Sequence, residues 1–140
     1  MKKHYDQKNY DPDNYKTIGF HDCFIDNIFV KDNKMFLYLM MDVHWYPGKK
    51  YGIFTLENFS DISELVNIWG NMSYVYITRI DFTKKKNKHV IKIILTLDKN
   101  NTQKIECSSI VFKRQEEDYR RTINEKGWKK FIDTYFKKIE

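Results

Sequence analysis

The feature that most constrains the fold of this chain is a series of strand-like segments separated by turn residues. Runs rich in β-branched and aromatic residues cover positions 20–30, 34–43, 50–58, 73–82, 89–97 and 102–113. Turn-forming residues separate most of these runs, as at Asp32-Asn33 and Pro47-Gly48. Because strands joined by short connections pair antiparallel, the sequence predicts a meandering antiparallel sheet of about six strands.

The first two runs predict a β-hairpin with an irregular first strand. A turn at Asp32-Asn33 would place opposite each other residues whose numbers sum to about 65. Alternation breaks within the first run, since Cys23 and Ile25 share one parity and Ile28 the other. A β-bulge near Asp26-Asn27 would restore the pattern.

A short helix is predicted over residues 60–70, between the third and fourth strands. Ser60 is a favourable N-cap, because its hydroxyl can accept a hydrogen bond from an otherwise unpaired amide of the first turn. Gly70 is typical of a helix end. The apolar side chains then share one face of the helix, namely Ile62, Leu65, Val66 and Trp69.

The last part of the chain carries a helical apolar stripe. Its members follow the spacing i, i+3, i+4, i+7, i+8 and i+11, and they are Trp128, Phe131, Ile132, Tyr135, Phe136 and Ile139. Lysines occupy much of the remaining circumference. The pattern predicts an amphipathic C-terminal helix that packs on one face of the sheet, where its burial would contribute on the order of 5–8 kcal/mol.

These elements predict an α+β fold in a single domain that spans residues 1–140. A polar N-terminal arm covers 1–17, and the antiparallel sheet covers 18–114 and includes the helix over 60–70. A helical segment follows over 115–140. Neither an internal repeat nor a linker interrupts this arrangement.

The predicted location is the cytoplasm. No apolar run approaches the ~20 residues that cross a bilayer, and Met1-Lys2-Lys3 is followed by polar residues rather than by an apolar signal sequence. Cys23 and Cys107 are the only cysteines, and both fall in strand-like runs. They are therefore expected to be reduced and buried, and the alternative is a disulfide between them.

The composition argues against a cofactor. The five glycines are not spaced as a phosphate-binding loop requires, and two isolated cysteines cannot supply the paired ligands of a zinc finger. The prediction is that the chain is not an enzyme and holds no cofactor.

The one cluster of reactive residue types is His21-Asp22-Cys23, with His44 one hairpin away. In the predicted hairpin, His21 and His44 would lie near each other, which would allow a metal site or a Cys-His pair. The alternative is structural, with His21 and Asp22 in hydrogen bonds at the strand entrance and Cys23 packed inside.

Two surface features are candidate binding sites. The net charge is +6, and Lys84, Lys85, Lys86 and Lys88 form a basic hairpin tip that could contact phosphates. Lysine far outnumbers arginine, the better bidentate reader of phosphates, which weakens a nucleic-acid interpretation.

The second feature is aromatic. Tyr74 and Tyr76, with the Tyr38 side of the sheet, could form a protein-binding patch, because tyrosine offers a large contact area at low entropic cost. The alternative is that the C-terminal helix covers this face.

Two short motifs resemble small bacterial immunity proteins of polymorphic toxin systems. They are Phe20-His21-Asp22-Cys23-x-Ile25 and, much later, Ile105-Glu106-Cys107-x-x-Ile110, so that the resemblance covers residues 19–112. It implies one antiparallel sheet and stoichiometric neutralisation of a toxin. The basic charge departs from the acidic balance common among immunity proteins that act on nucleases, and the resemblance carries over no functional residue.

The sequence therefore predicts a non-catalytic domain that binds a protein partner, either a toxin or an enzyme. No association with a membrane is expected. One alternative is a nucleic-acid-associated or phage-type accessory protein that uses the lysine-rich surface. A second alternative is a small hydrolase or metal enzyme built on His21, Cys23 and His44.

Overall fold

The computed structural model describes residues 9–72, 74–97 and 101–117. These residues form one antiparallel sheet of seven strands, one α-helix and a short 3₁₀-helix at Tyr15–Thr17. The elements are β1 (Phe24–Lys31), β2 (Lys34–Met40), β3 (Tyr51–Glu57), α1 (Ser63–Asn71), β4 (Val75–Lys85), β5 (Lys88–Leu95), β6 (Asn101–Cys107) and β7 (Ser109–Gln115). A mostly antiparallel α+β fold is confirmed.

The predicted C-terminal helical segment 115–140 lies outside the described residues from position 118 onward. Gln115 itself is the last residue of β7, and Glu116 and Glu117 form the bend that follows it. The helical boundary at 115 is therefore wrong.

The strand order is β6-β5-β4-β1-β2-β3-β7, so the simple meander is wrong. Two three-stranded meanders, β1-β2-β3 and β4-β5-β6, join side by side because β4 pairs with β1 instead of with β3. The junction is short, with Phe24 opposite Tyr76 and Ile25 opposite Val75. The apolar face of α1 explains this order, since the helix packs into the core and carries the chain from β3 to the far side of β1.

The predicted strand over 102–113 is two strands that meet at Ser108. β6 and β7 lie at opposite ends of the strand order, yet this one residue connects them. The Ser108 N–H donates to the Glu57 carbonyl at 2.8 Å, and the Ser60 N–H donates to the Glu106 carbonyl, also at 2.8 Å. The sheet therefore curls until its two ends meet, and it encloses the core on its inner face.

The β1–β2 hairpin is confirmed in its register. Val30 lies opposite Met35, and the pairing shifts between Ile25 and Asn27, where the bulge was predicted. The first strand begins at Phe24 rather than Phe20. Phe20 and Asp22 have φ angles of 63° and 65°, which an extended strand does not allow.

The helix has its predicted buried face but different ends. Ile62, Leu65 and Val66 are buried, as the periodicity indicated. However, α1 begins at Ser63, because the Ser60 hydroxyl accepts a hydrogen bond from the Glu106 N–H instead of capping the helix. Gly70 lies within the helix rather than at its end.

Aromatic rings fill the space inside the curved sheet. Tyr15, from the 3₁₀-helix, packs on Phe82 with ring centroids 4.6 Å apart, and Phe54 packs on Phe112 at 4.7 Å. Phe20 lies 5.4 Å from Phe54. The Tyr15 side chain is partly buried, and this burial raises the pKa of its hydroxyl.

Candidate functional site

The outer face of the sheet, which points away from the core, carries the aromatic candidate binding residues. Side chains alternate between the two faces of a strand. At the β1–β4 junction, Ile25, Val75 and Ile77 are buried in the core, so Phe24 and Tyr76 face outward. Each of the two meanders therefore contributes aromatic side chains to this surface.

Phe24, Tyr74 and Tyr76 form a compact group that we call the tyrosine patch. The Phe24 ring lies 5.3 Å from that of Tyr74 and 5.5 Å from that of Tyr76, and both contacts are edge-to-face. Tyr74 is 59% exposed and Tyr76 is 43% exposed. Two large rings are thus held against a third while much of their surface stays in contact with solvent.

The backbone under the tyrosine patch is fixed on both sides. Phe24 and Tyr76 are direct partners across the β1–β4 junction, and the Thr96 N–H donates to the Tyr76 carbonyl at 2.9 Å. Beside this junction, the Asp22 N–H donates at 2.9 Å to the carbonyl of Ile77, the residue after Tyr76. The backbone at Phe24 and Tyr76 is therefore fixed before any partner binds.

A second group on the outer face, the outer aromatic cluster, is buried. Its centre is formed by Tyr38 of β2 and Tyr51 of β3, which are 7% and 6% exposed. Burial raises the pKa of Tyr38 to about 12. Its partly buried members are Phe29, Phe36, Met40 and Ile53. The predicted aromatic face around Tyr38 thus differs in exposure from the patch around Tyr74 and Tyr76.

The basic hairpin tip lies at the far end of β4. The strands extend further than predicted, to Lys85 and from Lys88, and only Lys86 and Asn87 form the turn. Lys86 has a φ of 49°, as a two-residue hairpin turn requires. All four lysines, Lys84, Lys85, Lys86 and Lys88, are exposed.

Hydrogen bonds hold His21 at the entrance to β1. Its backbone N–H donates to the Tyr46 hydroxyl at 2.8 Å, and its Nδ1 lies 3.1 Å from the Thr78 carbonyl, which can accept from it. Its Nε2 is 3.5 Å from a carboxylate oxygen of Asp22. These contacts join the chain before β1 to β4 and to the loop that precedes β3.

Cys23 lies inside the core, and His44 lies on the surface. The Cys23 side chain is fully buried, and its Sγ accepts a long hydrogen bond from the Asp42 N–H at 3.5 Å. Burial raises the pKa of the Cys23 thiol to about 12, so the thiol is protonated at neutral pH. Exposed His44 follows Asp42, whose carboxylate accepts from the His44 N–H.

No group of three or more histidine, cysteine or acidic side chains that could hold a metal ion occurs in residues 9–72, 74–97 and 101–117. The register explains why His21 and His44 do not form the predicted cross-strand pair, since β1 and β2 stop pairing at Phe24 and Met40.

Arg114 of β7 is a structural centre that the sequence patterns did not reveal. Only 2% of the residue is exposed, and its guanidinium donates to the carbonyls of Tyr46, Pro47 and Lys49 and to the Tyr10 hydroxyl. It thereby fixes the loop before β3 to the N-terminal arm. An inward-pointing position on an alternating strand is the one signal that could have identified it.

Searches of this chain against protein-family models, curated proteins and solved structures return no match.

Among the residues that the structure describes, no helix is both long enough and apolar enough to cross a membrane.

Proposed function

We propose that this chain is a non-catalytic protein-binding domain and that its partner docks on the tyrosine patch. The observation that supports this proposal is the arrangement of Phe24, Tyr74 and Tyr76, with the two tyrosine rings 59% and 43% exposed at the start of β4. Tyrosine is enriched at the energetic centres of protein interfaces, because it buries a large area and has few rotatable bonds to immobilise.

The residues around the patch would give a partner polar contacts at the edge of an apolar centre. Asp22 and His21 lie beside the β1–β4 junction, and Thr78 follows Tyr76 on β4, where its hydroxyl is 2.7 Å from that of Thr96. An aromatic centre with a polar border is the usual composition of such an interface.

Within this class, the most specific role is that of an immunity or inhibitor protein that neutralises a toxin or an enzyme. This role comes from the resemblance of the Phe20-to-Ile25 motif to immunity proteins. With a net charge of +6, the chain would associate poorly with a strongly basic toxin, because like charges oppose the encounter. The expected partner is therefore neutral or acidic.

The proposal is tested by affinity capture with a variant of the patch. Wild-type protein and the double variant Tyr74→Ser/Tyr76→Ser are immobilised and exposed to lysate of the source cell, and retained proteins are quantified by mass spectrometry. The captured partner is then produced and titrated against both. Loss of two hot-spot side chains should weaken binding by a factor of about 100 or more.

Lys84→Gln/Lys85→Gln is the matched control, because it changes two other exposed side chains, both on β4. It should retain the partner with an affinity within a few-fold of wild type. Equal capture by wild type and by the tyrosine variant, after circular dichroism has shown both to be folded, would exclude the patch as the binding site.

Nucleic-acid binding is the second candidate function, and the exposed lysines at the β4–β5 tip support it. If the tip contacts phosphates, the affinity for labelled duplex or single-stranded DNA should fall steeply as salt is raised. Fluorescence anisotropy across a salt series measures this slope, and Lys84→Gln/Lys85→Gln should reduce it by about two. A wild-type signal that does not change with DNA would remove this candidate.

A further inference from the structure

The two meanders differ in the charge of their strands. β1, β2 and β3 together contain two basic and two acidic residues, whereas β4, β5 and β6 contain six basic and two acidic residues. The tyrosine patch lies where the two meanders meet. Of the two surfaces that adjoin the patch, the one formed by the second meander, β4-β5-β6, therefore carries the excess of positive charge.

A row of charged side chains, which we call the lysine row, crosses the outer face of the second meander. Asp81 of β4 is the partner of Lys92 on β5, and Lys92 is in turn the partner of Lys104 on β6. Their neighbours along the strands belong to the core, and these are Ile80, Ile91, Ile93 and Ile105. Because side chains alternate along a strand, the lysine row points outward, as the tyrosine patch does.

The lysine row holds more positive charge than its own carboxylates neutralise. Arg79 pairs with the Asp81 carboxylate at 3.2 Å, and Lys104 pairs with the Glu106 carboxylate at 3.6 Å. Between these two pairs, exposed Lys92 forms no ion pair with any residue that the structure describes. Like charges directly opposite each other on paired strands repel. An anionic group between Lys92 and Lys104 would relieve this repulsion.

The lysine row lies within one interface of the tyrosine patch. Asp81 is five residues beyond Tyr76 on β4, so at about 3.3 Å per residue and about 4.8 Å per strand, Lys92 and Lys104 lie roughly 17–20 Å from Tyr76. An interface of ordinary size buries about 800 Å² per partner, which is a patch about 30 Å across. The basic tip at Lys85 is about 30 Å from Tyr76, beyond the far side of the row. One partner can therefore cover the patch and the row without the tip.

We infer that the partner of the tyrosine patch carries an acidic polypeptide segment beside its docking surface and that this segment lies along the lysine row, with a carboxylate at Lys92 and Lys104. This inference rests on the proposed function, because it names the chemistry of the partner for the same site. β5 is paired with a strand on each side, so the backbone that carries Lys92 is held in place before binding. Carboxylates are favoured over nucleic-acid phosphates, since the row offers lysines and its neighbouring arginine, Arg79, is already paired with Asp81.

Two fluorescent peptides of equal length test this chemistry on the full-length protein. One joins a tryptophan anchor to a run of glutamates, and the other has glutamine in place of every glutamate. Fluorescence anisotropy measures both affinities at low and at physiological salt. The glutamate peptide should bind at least about 10-fold more tightly at low salt, and the difference should shrink as salt screens the charges. Equal affinities, or no binding of either peptide, would overturn the inference.

A charge reversal places the acidic segment on the row. Lys92→Glu/Lys104→Glu should abolish the preference for the glutamate peptide, after circular dichroism has shown the variant to be folded. Lys31→Glu/Lys113→Glu is the matched control, because it makes the same change in net charge at exposed lysines of β1 and β7. It should keep the affinity within about 3-fold of wild type.

Two outcomes of this comparison would overturn the inference. An equal loss of affinity in the two charge-reversed variants would mean that net charge alone attracts the peptide. Tighter binding of an oligothymidine than of the glutamate peptide, if it is lost in Lys92→Glu/Lys104→Glu, would mean that the lysine row is a nucleic-acid site.

The partner captured through the tyrosine patch separates this inference from the proposed function. Both Tyr74→Ser/Tyr76→Ser and Lys92→Glu/Lys104→Glu should weaken its binding, the second by slowing association at least about 10-fold. If only the tyrosine variant loses the partner, the inference fails and the proposed function stands. If both variants bind the partner as wild type does, the proposed function fails as well.

Discussion

At the scale of single residues, the buried guanidinium of Arg114 constrains the fold through several hydrogen bonds. Its Nε and Nη2 both donate to the Lys49 carbonyl, at 3.0 and 2.6 Å, and Nη2 also donates to the Tyr46 carbonyl at 2.9 Å. Gly48 passes so close that a Cβ atom there would lie 2.6 Å from Nη1. The loop between β2 and β3 is therefore shaped around one side chain of β7.

Replacing Arg114 with methionine should destabilise the fold by on the order of 3 kcal/mol, because buried carbonyls lose their donors while the volume is nearly kept. Urea unfolding followed by circular dichroism measures this change. The control is Arg79→Met, since Arg79 is an exposed arginine that pairs with Asp81 at 3.2 Å. The control should change the free energy of unfolding by no more than about 0.5 kcal/mol. Similar effects from both substitutions would contradict the assigned role of Arg114.

At the scale of elements, α1 shows how local signals can mislead. Glycine is typical of a helix end, yet Gly70 is an exposed residue within the last turn of α1, and its φ is not positive. Serine is typical of an N-cap, yet the Ser60 hydroxyl accepts a hydrogen bond from the Glu106 N–H of β6. At Ser60, a contact with a strand distant in sequence decides where the helix begins.

Gly70→Ala should stabilise the protein by about 0.5–1 kcal/mol, because it removes conformational freedom from the unfolded chain at a position where alanine meets no strain. Gly48→Ala should have the opposite sign, since Gly48 has a φ of 147° and no room for a Cβ atom beside Arg114. Thermal unfolding of the two variants beside wild type measures both. A destabilising Gly70→Ala would mean that the helix ends where the sequence pattern placed it.

The sequence was sufficient for the elements whose register depends on neighbours in the chain. The β1–β2 hairpin and its bulge followed from the turn residues and from the parity of Ile25 and Ile28. The order of the strands was not predictable, because the pairing of β4 with β1 depends on where α1 packs. The split at Ser108 was missed because the run of strand-forming residues is continuous. The inward-facing positions nevertheless change parity there, from Ile105 and Cys107 to Ile110 and Phe112.

The candidate site was predicted in its parts but not in its arrangement. Tyr74 and Tyr76 followed from strand alternation, whereas Phe24 joins them only through the β1–β4 junction. Tyr38 is buried whereas Tyr74 and Tyr76 are exposed, and this difference could not be predicted from strand alternation. Cys23 and His21 were identified from the sequence as residues of reactive types. Their relative placement was not, because the φ of 65° at Asp22 changes the direction of the chain between them.

At the scale of the whole molecule, the curved sheet places the structural core on one face and the proposed binding surface on the other. The inner face holds the aromatic core and the Arg114 anchor, and it leaves the two cysteines buried. The outer face holds the tyrosine patch at the place where the two meanders meet. A rigid junction is a favourable position for a binding surface, because little conformational entropy is lost when a partner docks there.

The most direct test of this account is hydroxyl-radical footprinting of the protein alone and in complex with its captured partner. Mass spectrometry then reports the oxidation of each side chain. We expect oxidation of Tyr74 and Tyr76 to fall several-fold in the complex, while His89, beside the basic tip, stays unchanged. Unchanged oxidation of both tyrosines in a saturated complex, with protection elsewhere on the surface, would contradict the central claim.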